Sequence, residues 1–224
     1  MKSRQFGFTL VEIAIVLVII GLLLGGVLKG QELINSAKVK NIISDMRNVS
    51  LFIYGYQDKF KSLPGDDAQA AAHVTGATTA TCAGCLGNGV INGGYNSVTN
   101  TEESFLFWQH VRFANLAAGP TAVADANYIP KNADGGKIGI QSAANPVIAG
   151  MTGTYLVCTD GVLGKFVKQM DSTLDDGETS TGSVRAVLTS AVATPFIPGT
   201  TAAVAVVLTS AVNDGLPYTV CQSF

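Results

Sequence analysis

Charge is scarce in this chain. Only 13 % of its 224 residues are Asp, Glu, Lys or Arg, and the formal net charge is −2. Histidine occurs twice and tryptophan once. Two histidines cannot build a histidine-rich metal cage, and no G-x-S-x-G elbow or phosphate-binding loop occurs in the sequence. A nucleic-acid binder shows a basic stripe. Here the residues from Ser62 onward carry six basic and twelve acidic side chains, so that reading is excluded. None of the four cysteines stands directly behind the N-terminal apolar run, which excludes a lipoprotein anchor. No constellation of nucleophile, base and oxyanion donor supports an enzyme, and no cofactor is implied.

The N-terminus is rich in apolar side chains. Phe8 to Leu28 is nearly unbroken in hydrophobicity. As a helix its 21 residues measure about 31 Å, and a bilayer core is about 30 Å thick. A cleaved secretory signal has an apolar core of only about 7–15 residues and a small-residue cleavage site behind it. The residues after this run, Gly25-Gly26-Val27-Leu28-Lys29-Gly30, supply no such site. Glu12 stands alone among the apolar residues, and an acid at the centre of a membrane helix costs roughly 2.5–3.5 kcal/mol. A plain single-span anchor leaves Glu12 unexplained, so it is a candidate functional residue.

Lys2 and Arg4 precede Gly7-Phe8-Thr9-Leu10-Val11-Glu12. This pattern resembles the class III signal of type IV pilins and pseudopilins. The resemblance implies cleavage between Gly7 and Phe8 by a prepilin peptidase, methylation of Phe8, and a role for Glu12 in filament assembly. Gly21 matches a glycine common in these helices, whereas Lys29 stands where many family members have proline. A helix break at that point is thus an open question. Leu63-Pro64-Gly65-Asp66, Glu103-Ser104-Phe105 with Trp108-Gln109-His110, and Asp171 to Gly182 resemble segments of larger pilin-like proteins.

Beyond the span the apolar pattern narrows to one face: Leu33, Ala37, Ile42, Met46, Val49, Ile53, Tyr56 and Phe60. The expected organisation is a leader at 1–7, one long helix at 8–61 whose part 8–28 crosses the membrane, and a head domain at 62–224. In the head, the sequence predicts a short helix within Asp67–His73 and a loop over 75–101. A second helix is predicted from Glu102 to about Leu116, with Asn100 as its N-cap. Strands are predicted at Thr154–Cys158, Ser183–Ala191, Ala202–Val212 and Tyr218–Cys221. Val-Leu-Thr-Ser-Ala-Val occurs at Val187–Val192 and again at Val207–Val212, which suggests two arms of a hairpin.

Four cysteines in a segment expected to cross the membrane favour disulfides. The expected pairing is Cys82 with Cys85 and Cys158 with Cys221. A four-thiolate zinc site is the alternative, since Cys-x-x-Cys spacing suits zinc. His73 and His110 read as packing or surface residues. No metal site is assigned. The acidic turn Asp171, Asp175, Asp176, Glu178 reads as solvated, with calcium as the sharper alternative, and Gly87-Asn88-Gly89 is a weaker one.

The fold expected is thus an α+β pilin fold, a long N-terminal helix against a head with an antiparallel sheet. The expected function is that of a structural subunit of a type IV pilus-like filament. Its partners would be further copies of itself, a prepilin peptidase/methyltransferase, the inner membrane before assembly, and a pilus or secretion assembly platform. The head would be periplasmic at first, then part of an extracellular pilus. Alternatives are a periplasmic pseudopilin of type II secretion or DNA uptake, and an anchored binding protein that never polymerises.

Overall fold

A computed structural model describes residues 7, 9–82, 84–199, 202–203 and 214–224. Leu10–Phe60 form a single helix, α1, of 51 residues. No break occurs at Lys29, whose ammonium instead pairs with Glu32 at 2.7 Å, one turn further along an exposed face. Lysine keeps the backbone N–H that proline would remove, so the helix continues. A Cβ at Gly21, Gly25, Gly26 or Gly30 would meet nothing within 4 Å. Among the described residues, nothing therefore requires those glycines.

The chain divides into two compact units, Met1–Lys38 and Val39–Phe224, and the division falls inside α1. In the first unit the described apolar side chains of the helix are open to solvent on every side, from Leu10 at 90 % to Ile20 at 46 %. In the second, Val39, Ile42, Ile43, Met46, Val49, Ile53 and Tyr56 form a buried stripe at spacings of one to four residues. The stripe starts later than the sequence suggests: Ala37 is exposed and Leu33 is 64 % exposed. Lys61, at φ 56°, ends the helix in the left-handed conformation, with its N–H bonded to the Gln57 carbonyl.

Two short helices follow, α2 (Ala70–His73) and α3 (Glu103–Phe113). The expected Asn100 cap is not formed. Glu102 takes the N-cap position in an extended conformation without a side-chain cap, and Glu103 bonds to Asn92 instead. All of α3 from Glu103 to Arg112 is buried. The Arg112 guanidinium donates to the carbonyls of Ala118, Pro120 and Tyr128, which fixes the return loop after the helix.

Four antiparallel strands make one sheet in the order β1-β2-β4-β3: β1 Ile138–Ser142, β2 Tyr155–Leu163, β3 Val184–Leu188 and β4 Pro217–Ser223. A fourth helix, α4 (Gly164–Leu174), follows β2 directly. The α+β fold expected from sequence is present, but β1 and α4 were not anticipated. In β1 a central glycine masks the strand signal. A Cβ on Gly139 would lie 1.8 Å from the Tyr95 carbonyl oxygen, so close backbone approach requires glycine there. The first Val-Leu-Thr-Ser-Ala-Val copy runs from β3 into a 3₁₀ turn at Thr189–Ala191, and β3 pairs with β4. The second copy, and with it nearly all of the strand expected at Ala202–Val212, lies outside the described residues.

Both faces of the sheet are covered. Along β2, Val157 points into the cluster shared with α1 and α3 (Ile42, Met46, Leu106, Phe107), while Leu156 and Cys158 point into a second cluster with Val147, Ile148, Val187 and Phe196. This alternation is the period-two geometry of a strand. Each fully buried large apolar side chain contributes about 1.5–3 kcal/mol.

Candidate functional site

The N-terminal candidates sit at the start of α1. Gly7 is exposed, and Phe8 lies outside the described residues. One carboxylate oxygen of Glu12 accepts the Thr9 N–H at 2.8 Å and the Thr9 hydroxyl at 2.7 Å. The Glu12 amide in turn donates to Thr9 Oγ1 at 3.3 Å. This is a capping box, in which the N-cap hydroxyl and the glutamate three residues on satisfy each other's helix-end amides. The Thr-x-x-Glu pattern is legible in the sequence, yet as part of an apolar span Glu12 reads there as unpartnered. Within the chain, then, Glu12 already holds the first turn of the helix.

A second constellation joins two of the segments singled out in the head. Gly65, at φ +94°, donates its N–H to Nδ1 of His110 at 2.9 Å, and a Cβ there would lie 2.4 Å from the Glu103 carbonyl oxygen. Only glycine fits. His110 Nε2 lies 2.8 Å from the Thr78 carbonyl, so the ring is the neutral Nε2–H tautomer, and burial lowers its pKa. Asp66 accepts the amides of Asn88 and Gly89, which accounts for the Gly87-Asn88-Gly89 turn without a metal. Asp67 accepts from the Tyr56 hydroxyl and the Gln69 amide and pairs with His73 at 2.7 Å. Burial alone would raise Asp67, but the bonds from His73, Gln69 and Tyr56 outweigh it and hold the carboxyl below its usual range. Asp66, Asp67 and His73 line an open notch of about 660 Å³ together with Tyr54, Lys61 and Tyr155. These contacts tie the end of α1 to α2 and α3, and both histidines take structural partners.

Glu103 is fully buried and its carboxyl is pushed up to about 7. Burial is the main cause, opposed by the Asn92 amide and side-chain bonds and reinforced by the neighbouring Asp66. A carboxyl with a native pKa above its unfolded value stabilises the fold when protonated. That contribution is fully present below the ordinary glutamate range and is lost as pH rises through 7. Glu103→Gln, which mimics the protonated acid, is expected to flatten the dependence of stability on pH between 5 and 7. Chemical denaturation at several pH values checks this. An unchanged slope in Glu103→Gln would assign the dependence to another group.

Cys158 and Cys221 are joined across directly opposed positions of β2 and β4. Cys82 and Cys85 are joined within the loop before α3, with Cα atoms 5.6 Å apart. Glu103 lies close to this second pair, but cysteines held in a disulfide offer no thiolate to a metal. The four-thiolate zinc alternative therefore has no support in this geometry.

The acidic turn differs from its sequence reading. Asp171, in the last turn of α4, is fully buried rather than solvated. Burial raises its carboxyl to about 6, with Asp176, Asp175 and Glu178 adding to the effect. Asp175 accepts the Val184 amide at 2.9 Å and the Ser183 amide, and Asp176 accepts from Glu178 N–H and the Thr181 hydroxyl.

Comparison with known proteins bears on the N-terminus. Residues 2–28 match the family model described as the prokaryotic N-terminal methylation motif, the signature of type IV pilins and pseudopilins. No curated protein and no solved structure matches the chain.

Proposed function

We propose that the chain is a structural subunit of a type IV pilus-like filament. It is made as a membrane prepilin, cut between Gly7 and Phe8, methylated on Phe8 and polymerised through the first part of α1. The observation that carries this reading is the methylation motif over residues 2–28 standing on the start of a helix whose described large apolar side chains from Leu10 to Leu28 are all exposed. An apolar surface exposed around the whole helix circumference needs either lipid or copies of itself. A prepilin moves from the first to the second. The motif also implies the enzyme that processes it, because the basic leader stays on the cytoplasmic side while the head crosses.

The experiment is N-terminal mass spectrometry on the assembled fraction, with electron microscopy of the same material. Mature chains beginning at methylated Phe8, in filaments that extend from the cell surface, are the expected result. Filaments confined to the periplasm would assign the chain to a pseudopilus. Chains that retain Met1, with no filament, would overturn the proposal.

A further inference from the structure

Asp171 is the one carboxylate among the described residues with both oxygens buried and neither hydrogen-bonded. The Gly177 amide faces it without reaching hydrogen-bond geometry. Burying a carboxylate without a partner costs several kcal/mol. The surroundings worsen that cost, because oxygens of Asp171, Asp175 and Asp176 lie within 4.8 Å of one another and Glu178 adds a further negative charge nearby. Arg185 is close enough to act on Asp176, but its guanidinium donates to the carbonyls of Gly182 and Ala149.

The turn is also held in shape. Asp175 is fixed by the amides of Ser183 and Val184 at the entry to β3. It can come this close because residue 182 is glycine: a Cβ there would lie 1.9 Å from Asp175 Oδ2. Asp176 is fixed by Glu178 N–H and Thr181. The hydrogen bonds to Asp175 and Asp176 leave each carboxylate with further lone pairs. A buried, unpartnered carboxylate facing two carboxylates of fixed orientation lacks only a counter-charge.

We propose that this turn binds one calcium ion. Asp171 is the buried ligand, Asp175 and Asp176 complete the acidic side, and Glu178 stands at the rim. The donors are all oxygen, which selects a hard cation. Calcium takes 6–8 oxygens in irregular arrangements, whereas magnesium demands a near-ideal octahedron and keeps its waters. An ion here would lock the end of α4 to the start of β3.

The test uses the full chain in detergent micelles, stripped with a chelator and titrated with calcium chloride by calorimetry, with thermal melts in parallel. One calcium per chain is expected, with a dissociation constant in the range of about 10⁻⁶–10⁻³ M, together with a raised Tm. Magnesium chloride at equal concentration should shift Tm less. Asp171→Asn should abolish binding. Since that change lies in the core, the exposed Asp176→Asn serves as the second variant, and it should weaken binding at least tenfold while leaving the circular dichroism spectrum unchanged. No saturable binding up to about 10 mM calcium, wild-type affinity in both variants, or a magnesium effect equal to that of calcium would each overturn the assignment.

Discussion

In cells whose only copy of this chain carries Glu12→Leu, filaments should fall at least tenfold while membrane insertion and cleavage after Gly7 persist. Leucine makes the span more apolar, so insertion has no reason to fail. Two different losses could stop assembly, and their magnitudes separate them. The substitution opens the capping box with Thr9. A lost cap costs about 1 kcal/mol, which frays one turn of a 51-residue helix and does little else. In the proposed filament, the Glu12 carboxylate also pairs with the amine that cleavage creates at Phe8 of a neighbouring copy. Leaving either charge unpaired in an apolar filament core costs several kcal/mol. Glu12→Gln distinguishes the two, because glutamine can still close a capping box but carries no charge. If charge pairing drives assembly, Gln fails as Leu does. Filaments restored by Gln would leave the cap as the function of Glu12, and wild-type filament levels with Leu would remove Glu12 from the assembly mechanism.

Cys221→Ser should produce a large loss of stability in the head. Cys158 and Cys221 are fully buried, directly paired between β2 and β4, and 63 residues apart in sequence. Closing a loop of that length removes enough freedom from the unfolded chain to stabilise the fold by about 4 kcal/mol. Serine adds a buried hydroxyl where the sheet offered a bond between sulfurs. Tm should drop on the order of 10 °C, and non-reducing peptide mapping should find a free thiol at Cys158. The double change of Cys158 and Cys221 to alanine separates the lost crosslink from the added hydroxyl, and it should retain most of the drop. Breaking the bond between Cys82 and Cys85, only three residues apart, should cost under about 2 kcal/mol by the same loop argument. A wild-type Tm for Cys221→Ser, or four reactive thiols in the unmodified chain, would show that the bridge does not form.

What the sequence determined by itself is the part of the molecule governed by local pattern. The run from Phe8 to Leu28 is apolar but for a few positions, Glu12 among them, whatever surrounds it, and it falls within the methylation motif matched at residues 2–28. The 3.6-residue period of Ile42, Met46, Val49, Ile53 and Tyr56 marked the buried face of α1, and Lys61 ends the helix at the expected 8–61 boundary. The apolar α4 stripe of Phe166, Val167 and Met170 was equally legible. It went unread because the helix opens on Gly164 straight out of a strand, without a capping residue or a loop to announce it.

Tertiary structure decided the rest, since those features depend on residues far apart in sequence. Gly139 is a strand residue because the Tyr95 backbone crosses it. Glu103 gives up helix capping because Asn92, eleven residues earlier, offers it two donors. Gly65 and His110, forty-five residues apart, explain each other only once α1 and α3 meet. Asp171 belongs to a run of acids that reads as solvated, yet the face of α4 it occupies turns inward. Burial is a property of packing, and packing alone converts that ordinary acidic turn into a buried carboxylate in need of a cation.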